Sequence, residues 1–398
     1  MKLTSLAGIA LCLLLIACAL CLGADRPRAT SSPYSAWKSG PSPDPNYFPL
    51  AVWLQSPGNA DLYRAIGINT YVGLWNGPTE DDLTALKKAG IRVICDQNEV
   101  GLRHLDDPAI MAWMHGDEPD NYQGTAEAGY TPAIPTSTIV AEYDAYRAKD
   151  PSRPVMLNLG QGVANDVYKG AYASLSDYPE YMKGADIISF DIYPVAGDIE
   201  GGADYLWMVA KGVDRLVRWS GGRQIIWNAL ECTQISSPGH KPTPAQVKSE
   251  VWMSIIHGSM GIIYFVHQFK PDFIEAGLLA DPEMTAAVKA INQRILALAP
   301  VLNLPTDPLG GSATTSNPLV PVDIMVKQQG STVYMFAIGM RNLPAHAELV
   351  FDAVHKVRKN STVEVVGENR TIPCWGGHFE DDFKPYEVHI YKTTVPAT

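Results

Sequence analysis

Cysteine is scarce and poorly placed for either structure or chemistry. Of six in 398 residues, Cys12, Cys18 and Cys21 fall at the N-terminus, leaving only Cys95, Cys232 and Cys374 beyond it. An odd, widely spaced trio offers neither a disulfide framework nor metal-ligand spacing. The histidines add nothing to this, since His104, His115, His240 and His257 form no ligand pattern. No metal and no other cofactor is expected. Basic clusters are also missing: 31 Lys and Arg stand against 42 Asp and Glu, a formal net charge of -11. A nucleic-acid backbone needs concentrated cations, so no nucleic-acid partner is expected and a neutral or weakly charged ligand fits better. Beyond residue 24 no run of 18 apolar residues occurs, and no transmembrane helix is expected in the mature protein.

The N-terminus reads as an export signal over residues 1–24, with Lys2 followed by an uncharged apolar run from Leu6 to Leu22. Leu15-Ile16-Ala17-Cys18 has the form of a bacterial lipobox, in which Cys18 would carry a lipid anchor; cleavage a few residues later, after Gly23 for example, is the alternative. Either way the mature chain is expected outside the cytoplasm, as a secreted, periplasmic or surface-anchored protein. Residues 25–46 are rich in Pro, Ser and Asp, which suits an extended linker.

From Phe48 onward, continuous short apolar runs alternate with stretches of helical period, the pattern of a parallel sheet covered by helices. Eight cycles can be counted, with strands at Leu50–Leu54, Thr70–Leu74, Arg92–Cys95, Ala109–Met114, Pro154–Leu159, Ile187–Ile192, Gln224–Leu230 and Gly261–Val266. Eight such units close into a (β/α)8 TIM barrel over residues 47–300. A helix from Asp281 to Ala299 is expected to stop at Pro300. After it the helical period vanishes and alternating runs imply a small antiparallel β-sandwich domain over residues 301–398.

Barrel enzymes carry their chemistry at the C-terminal strand ends. Here these ends hold Asp117 and Glu118 after strand four, Asn158 on five, Asp191 and Tyr193 after six, Glu231 after seven, and His267 and Gln268 after eight. Trp53, Trp75 and Trp227 lie at or near strand ends, where aromatic faces can stack on sugar rings. Cleaving a glycosidic bond needs one protonated and one ionised carboxyl on opposite sides of it. Glu118 and Glu231 are the candidate pair.

Trp113-Met114-His115-Gly116-Asp117-Glu118-Pro119 and Trp227-Asn228-Ala229-Leu230-Glu231 resemble the fourth and seventh strand ends of the clan A glycoside hydrolases. The resemblance spans about residues 48 to 300. It implies a retaining mechanism with Glu118 as acid/base and Glu231 as nucleophile, acting on a poly- or oligosaccharide. Position 117 departs from the clan, which has Asn there to bind the sugar 2-hydroxyl; Asp117 can accept that hydrogen bond but not donate it. Tyr193 would orient the nucleophile and His267 would line the subsite floor.

Less specific readings compete. A lone Glu at a strand end more often caps a helix or meets an Arg, and Asn158, Asp191 and Gln268 serve equally well as structural hydrogen-bonders. A carbohydrate-binding barrel without turnover, held at the cell surface, also explains the acidity, the aromatics and the export signal. Only catalysis explains two Glu at those two strand ends. A metal-dependent hydrolase lacks the required His and Asp clusters.

Overall fold

A computed structural model describes residues 32–395, apart from 126–128, 168–172, 198, 237–238 and 353–354. The expected export signal, Cys18 and the first part of the expected linker lie outside the described residues.

Eight strand positions form the barrel: β1 (Leu50–Trp53), β2 (Thr70–Val72), β3 (Arg92–Cys95), β4 (Ile110–Met114), β5 (Val155–Leu159), β6 (Ile187–Phe190), β7 in two pieces (Ile225–Ile226 and Asn228–Glu231) and β8 (Ile262–Phe265). All pair in parallel with their sequence neighbours, and β8 returns to β1. Strand β7 breaks at Trp227 because its first piece pairs with β6 and its second with β8. A single bridge between Asp191 and Ala229 closes the ring. Side chains alternate as the pleat demands. Ala51, Trp53, Ile94, Ala112, Met156, Ile225, Trp227 and Ile263 fill the interior, while Val52, Tyr71, Val93, Leu157, Ile188 and Tyr264 pack under the helices.

The expected linker is structured from residue 32 and closes the barrel floor. Ser32 caps a short 3-10 turn, Pro33–Ala36, that inserts Tyr34 to 1% exposure. The Tyr34 hydroxyl donates to the Met260 carbonyl at 3.0 Å and accepts from the Trp227 indole at 2.8 Å. Asn303 then donates to the carbonyls of Pro45 and Tyr47, both at 2.8 Å. Proline-rich composition signals extended backbone, which here is laid against the barrel rather than left free.

Helix Pro282–Leu302 runs through Pro300. A proline this close to a C-terminus is tolerated, so the expected stop comes two residues later.

Among the described residues the C-terminal sandwich has eight strands: β9 (Gly311–Thr315), β10 (Val322–Gln329), β11 (Thr332–Gly339), β12 (Ala345–Phe351), β13 (Ser361–Val365), β14 (Arg370–Cys374), β15 (His378–Phe383) and β16 (Val388–Thr394). One antiparallel sheet orders β9-β12-β15, and the other β10-β11-β16-β13-β14. Along β11, Val333, Met335 and Ala337 face the sandwich core, whereas Phe336 and Ile338 join the core beneath the barrel helices. Trp252, on helix Pro244–Ile256, stacks on Phe336 at 5.8 Å. One face of the five-stranded sheet therefore packs on the sandwich core and the other on the barrel helices.

Candidate active site

Strand β4 ends in the turn that carries the acids. Glu118 occupies a left-handed backbone conformation (φ 44°), uncommon for a residue with a side chain and concentrated at functional sites. Its amide donates to the Asn158 carbonyl at 3.1 Å, which ties the turn to β5. Asn158 is buried and spans two partners: it donates to Asp117 Oδ1 at 2.9 Å and accepts from the Ser189 hydroxyl of β6 at 2.6 Å. Asp120, wholly buried, accepts from the Gly160 amide at 2.9 Å and the Tyr178 hydroxyl at 3.0 Å.

Asp191, at the end of β6, meets both Glu118 and the Tyr193 hydroxyl. Its Oδ1 is buried and finds no donor when both carboxyls are ionised, so a proton lying between Asp191 and Glu118 is what satisfies the contact. Burial, then the charge of Glu118 and the hydrogen bond to it, raise the Asp191 carboxyl well above the usual range. Asp117 keeps an exposed surface at the lip, yet its carboxyl is hemmed in: desolvation first, and Glu118 second, push it up to about 7 against the Asn158 hydrogen bond. Asp120 is pushed up to about 6, chiefly by burial. Three carboxyls at one barrel mouth thus hold protons near neutrality, the condition for acid catalysis at that pH.

Glu231 stands apart from this group. Strand parity alone would turn it inward like Ala229, but it reaches the covering helix instead: it is 0% exposed, and its oxygens accept from the backbone amides of Val195 at 2.7 Å and Ala196 at 2.5 Å. Its side chain meets Glu250 of helix Pro244–Ile256. In place of the expected open carboxylate, the β6 loop lies over Glu231 and buries both of its oxygens.

Trp227 is a second correction. Fully buried and bonded to Tyr34, it lies beside Gly261, where an added Cβ would come within 2.5 Å of its ring, at the floor of the barrel and not its mouth. Trp53 is also interior, at 6% exposure. His115, a polar strand-end residue, turns outward to the Gly184 carbonyl at 2.8 Å and to Glu142.

The remaining aromatics do frame the opening. Trp75 is 45% exposed, stacks on His267 at 5.7 Å and donates to Glu275 at 2.9 Å. His267 is held by the Leu54 carbonyl at 2.9 Å, and burial lowers its pKa, favouring the neutral ring. Phe269 and Phe273, exposed on the loop after β8, flank it. Gln268 bridges to Ile274 through its backbone and shapes this loop. From the other side Tyr193 leans on Phe265 at 5.1 Å and lines a cleft of about 620 Å³ with Gln161, Asn165, Ile199, Tyr205 and Met208. Phe269, Phe273 and Tyr205 escaped the sequence reading because they lie several residues past the strand ends, where loop length hides position. Glu250 had a visible signal, a carboxylate on the buried face of an otherwise apolar helix segment.

No protein-family model matches the chain, and no curated protein matches it. Solved structures do. A catalytic mutant of Gan42B, a GH42 beta-galactosidase from G. stearothermophilus, aligns over 88% of this chain and 98% of its own at 9% identity and TM-score 0.57. An alpha-amylase from Anoxybacillus aligns over 90% of this chain and 100% of its own at 11% identity and TM-score 0.55. The alpha-amylase from Geobacillus thermoleovorans complexed with acarbose aligns over 90% and 98% at 11% identity and TM-score 0.53. At such identities the likeness establishes the shared fold.

Proposed function

We propose that this chain is an exported glycoside hydrolase that cleaves O-glycosidic bonds of an uncharged poly- or oligosaccharide. The observation that carries this reading is the Asp117, Glu118 and Asp191 cluster at the C-terminal mouth of a barrel framed by exposed aromatics, where burial and the charge of Glu118 raise the carboxyls of Asp117 and Asp191. The glycosidase names of the structures that share the fold support it, and the N-terminal apolar run supports export.

Chemically, Glu118 delivers the proton to the departing oxygen and Asp191 shares that proton until it is given up. A retaining double displacement also needs an ionised carboxylate at the anomeric carbon. Glu231 does not offer one in this conformation. We assign the attack to Asp117, which is poised near its ionisation midpoint at neutral pH and steadied by Asn158. Trp75, His267, Phe269 and Phe273 supply ring faces and edges for sugar contact.

The seclusion of Glu231 favours a second reading, a carbohydrate-binding barrel without turnover. One experiment separates the two: incubate the mature protein with plant, algal and microbial polysaccharides, size the products, and follow the anomeric proton signals. Hydrolysis with retention supports the first reading, and binding without product supports the second. Inversion would remove Asp117 as nucleophile.

A further inference from the structure

Glu231 and Glu250 meet side chain to side chain at 0% exposure, one on a barrel strand and one on the helix that covers it. Both oxygens of Glu231 are used by the Val195 and Ala196 amides. Both oxygens of Glu250 are buried and meet no donor when the pair is ionised. Two buried carboxylates in contact repel strongly; one proton held in common converts that repulsion into a charge-assisted hydrogen bond. The surroundings supply no alternative. Cys232 lies beside the pair on the strand, Lys241 acts on Cys232 from the approach to the helix, and Tyr386 reaches toward Glu250 from the sandwich, while among the described residues no Lys or Arg pairs with either carboxyl.

The segment gripped by Glu231 is the β6 loop. Gly197 folds back on the Tyr193 carbonyl at 2.8 Å, and the Ser236 amide donates to the Ala196 carbonyl at 2.9 Å. Tyr193 at the head of this turn touches Asp191, and Asp191 touches Glu118. We propose that Glu231 and Glu250 share a single proton and together act as a buried clamp that fixes the β6 loop, making Glu231 a positioning residue for Tyr193 rather than a group that touches substrate. Glu250 keeps the proton and donates it as a hydrogen bond to Glu231, which stays ionised and is also bound by the two amides. Loss of that proton leaves two buried charges side by side with no Lys or Arg of the described residues against them, and the loop must open to hydrate them. The effect on turnover rests on the glycosidase reading; the effect on the loop does not.

Hydrogen exchange at the Val195 and Ala196 amides tests this without any substrate. After correction for intrinsic rates, protection in the wild-type protein should hold through neutral pH. Above the titration of the pair it should fall about tenfold per pH unit. Glu250→Gln, which keeps a permanent N–H donor toward Glu231, should stay protected and lose the alkaline fall. Glu231→Gln should lose protection of at least one of the two amides at every pH. Wild-type protection that follows the rest of the barrel into alkali would overturn the shared proton, with no variant required. If hydrolysis is established, Glu250→Gln should also move the alkaline limb of the pH profile while sparing kcat below it.

Discussion

The side-chain amide of Asn158 donates to the Asp117 carboxylate at 2.9 Å, so the acid at the barrel lip is held by strand β5 and not by its own turn. That bond favours the ionised form of Asp117 against burial and the charge of Glu118. Asn158→Leu should therefore raise the Asp117 pKa further. A hydrogen bond to a charged group contributes about 1.5 to 3 kcal/mol, or roughly one to two pH units. The acid limb of kcat/KM should move upward by about that much, and a limb that stays in place would show that Asp117 does not act as a carboxylate.

At the opposite end of the barrel, Trp227 and Tyr34 form a floor and not a sugar platform. Trp227→Ala should destabilise the fold by about 3 to 5 kcal/mol, and Tyr34→Phe, which leaves the indole N–H without its acceptor, by about 1 to 3 kcal/mol. Urea unfolding measures both. Affinity for any saccharide should be unchanged in Tyr34→Phe, and a selective loss of binding would return Trp227 to the site.

The contrast between Trp227 and Trp75 shows where sequence reading succeeds and where it stops. All eight barrel strands were legible because strands buried on both faces read as unbroken apolar runs. The acids after β4 were legible because a strand end in a barrel faces the mouth. Which end of a strand a tryptophan occupies depends on register, and β7 hides its register by breaking at Trp227. The placement of Glu231 was hidden for another reason: the loop over it belongs to β6 and its partner to a helix nineteen positions on, and neither relation is local. In the sandwich, β14 contains Pro373 and β15 the acidic run Glu380-Asp381-Asp382, so both lacked a clear apolar alternation.

His257 fastens the sandwich to the barrel. Its ring bridges Asp214, on a barrel helix, at 2.8 Å and Asp323 of β10 at 3.3 Å. Burial opposes its charge, but the two carboxylates outweigh burial and push it up to about 9. Since the folded pKa lies above the unfolded value near 6.5, this stabilisation is full below about pH 6.5 and is lost as pH rises through about 9. Because both Asp are partly exposed, about 1 to 2 kcal/mol is the expected size. His257→Gln should flatten the fall in Tm between pH 6 and 9, and an unchanged slope would assign that fall to other groups.

Cutting the chain at Pro300 should abolish soluble expression, because the cut removes the last turn of helix Pro282–Leu302 and bares the surface that Phe336 and Ile338 cover. A monomeric, cooperatively folding truncation would show that the sandwich is an independent appendage.

Proton delivery by Glu118 is the central claim, and leaving-group dependence measures it most directly. For wild type, Glu118→Gln and Glu118→Ala, turnover should be compared on a glycoside of the hydrolysed sugar bearing an activated aryl group and on the natural linkage. The account predicts a loss of about 100-fold or more on the natural linkage, near the upper part of the usual range for a general acid, with much smaller loss on the activated glycoside. Equal losses on both, or a Glu118→Gln variant as active as wild type on the natural linkage, would contradict it.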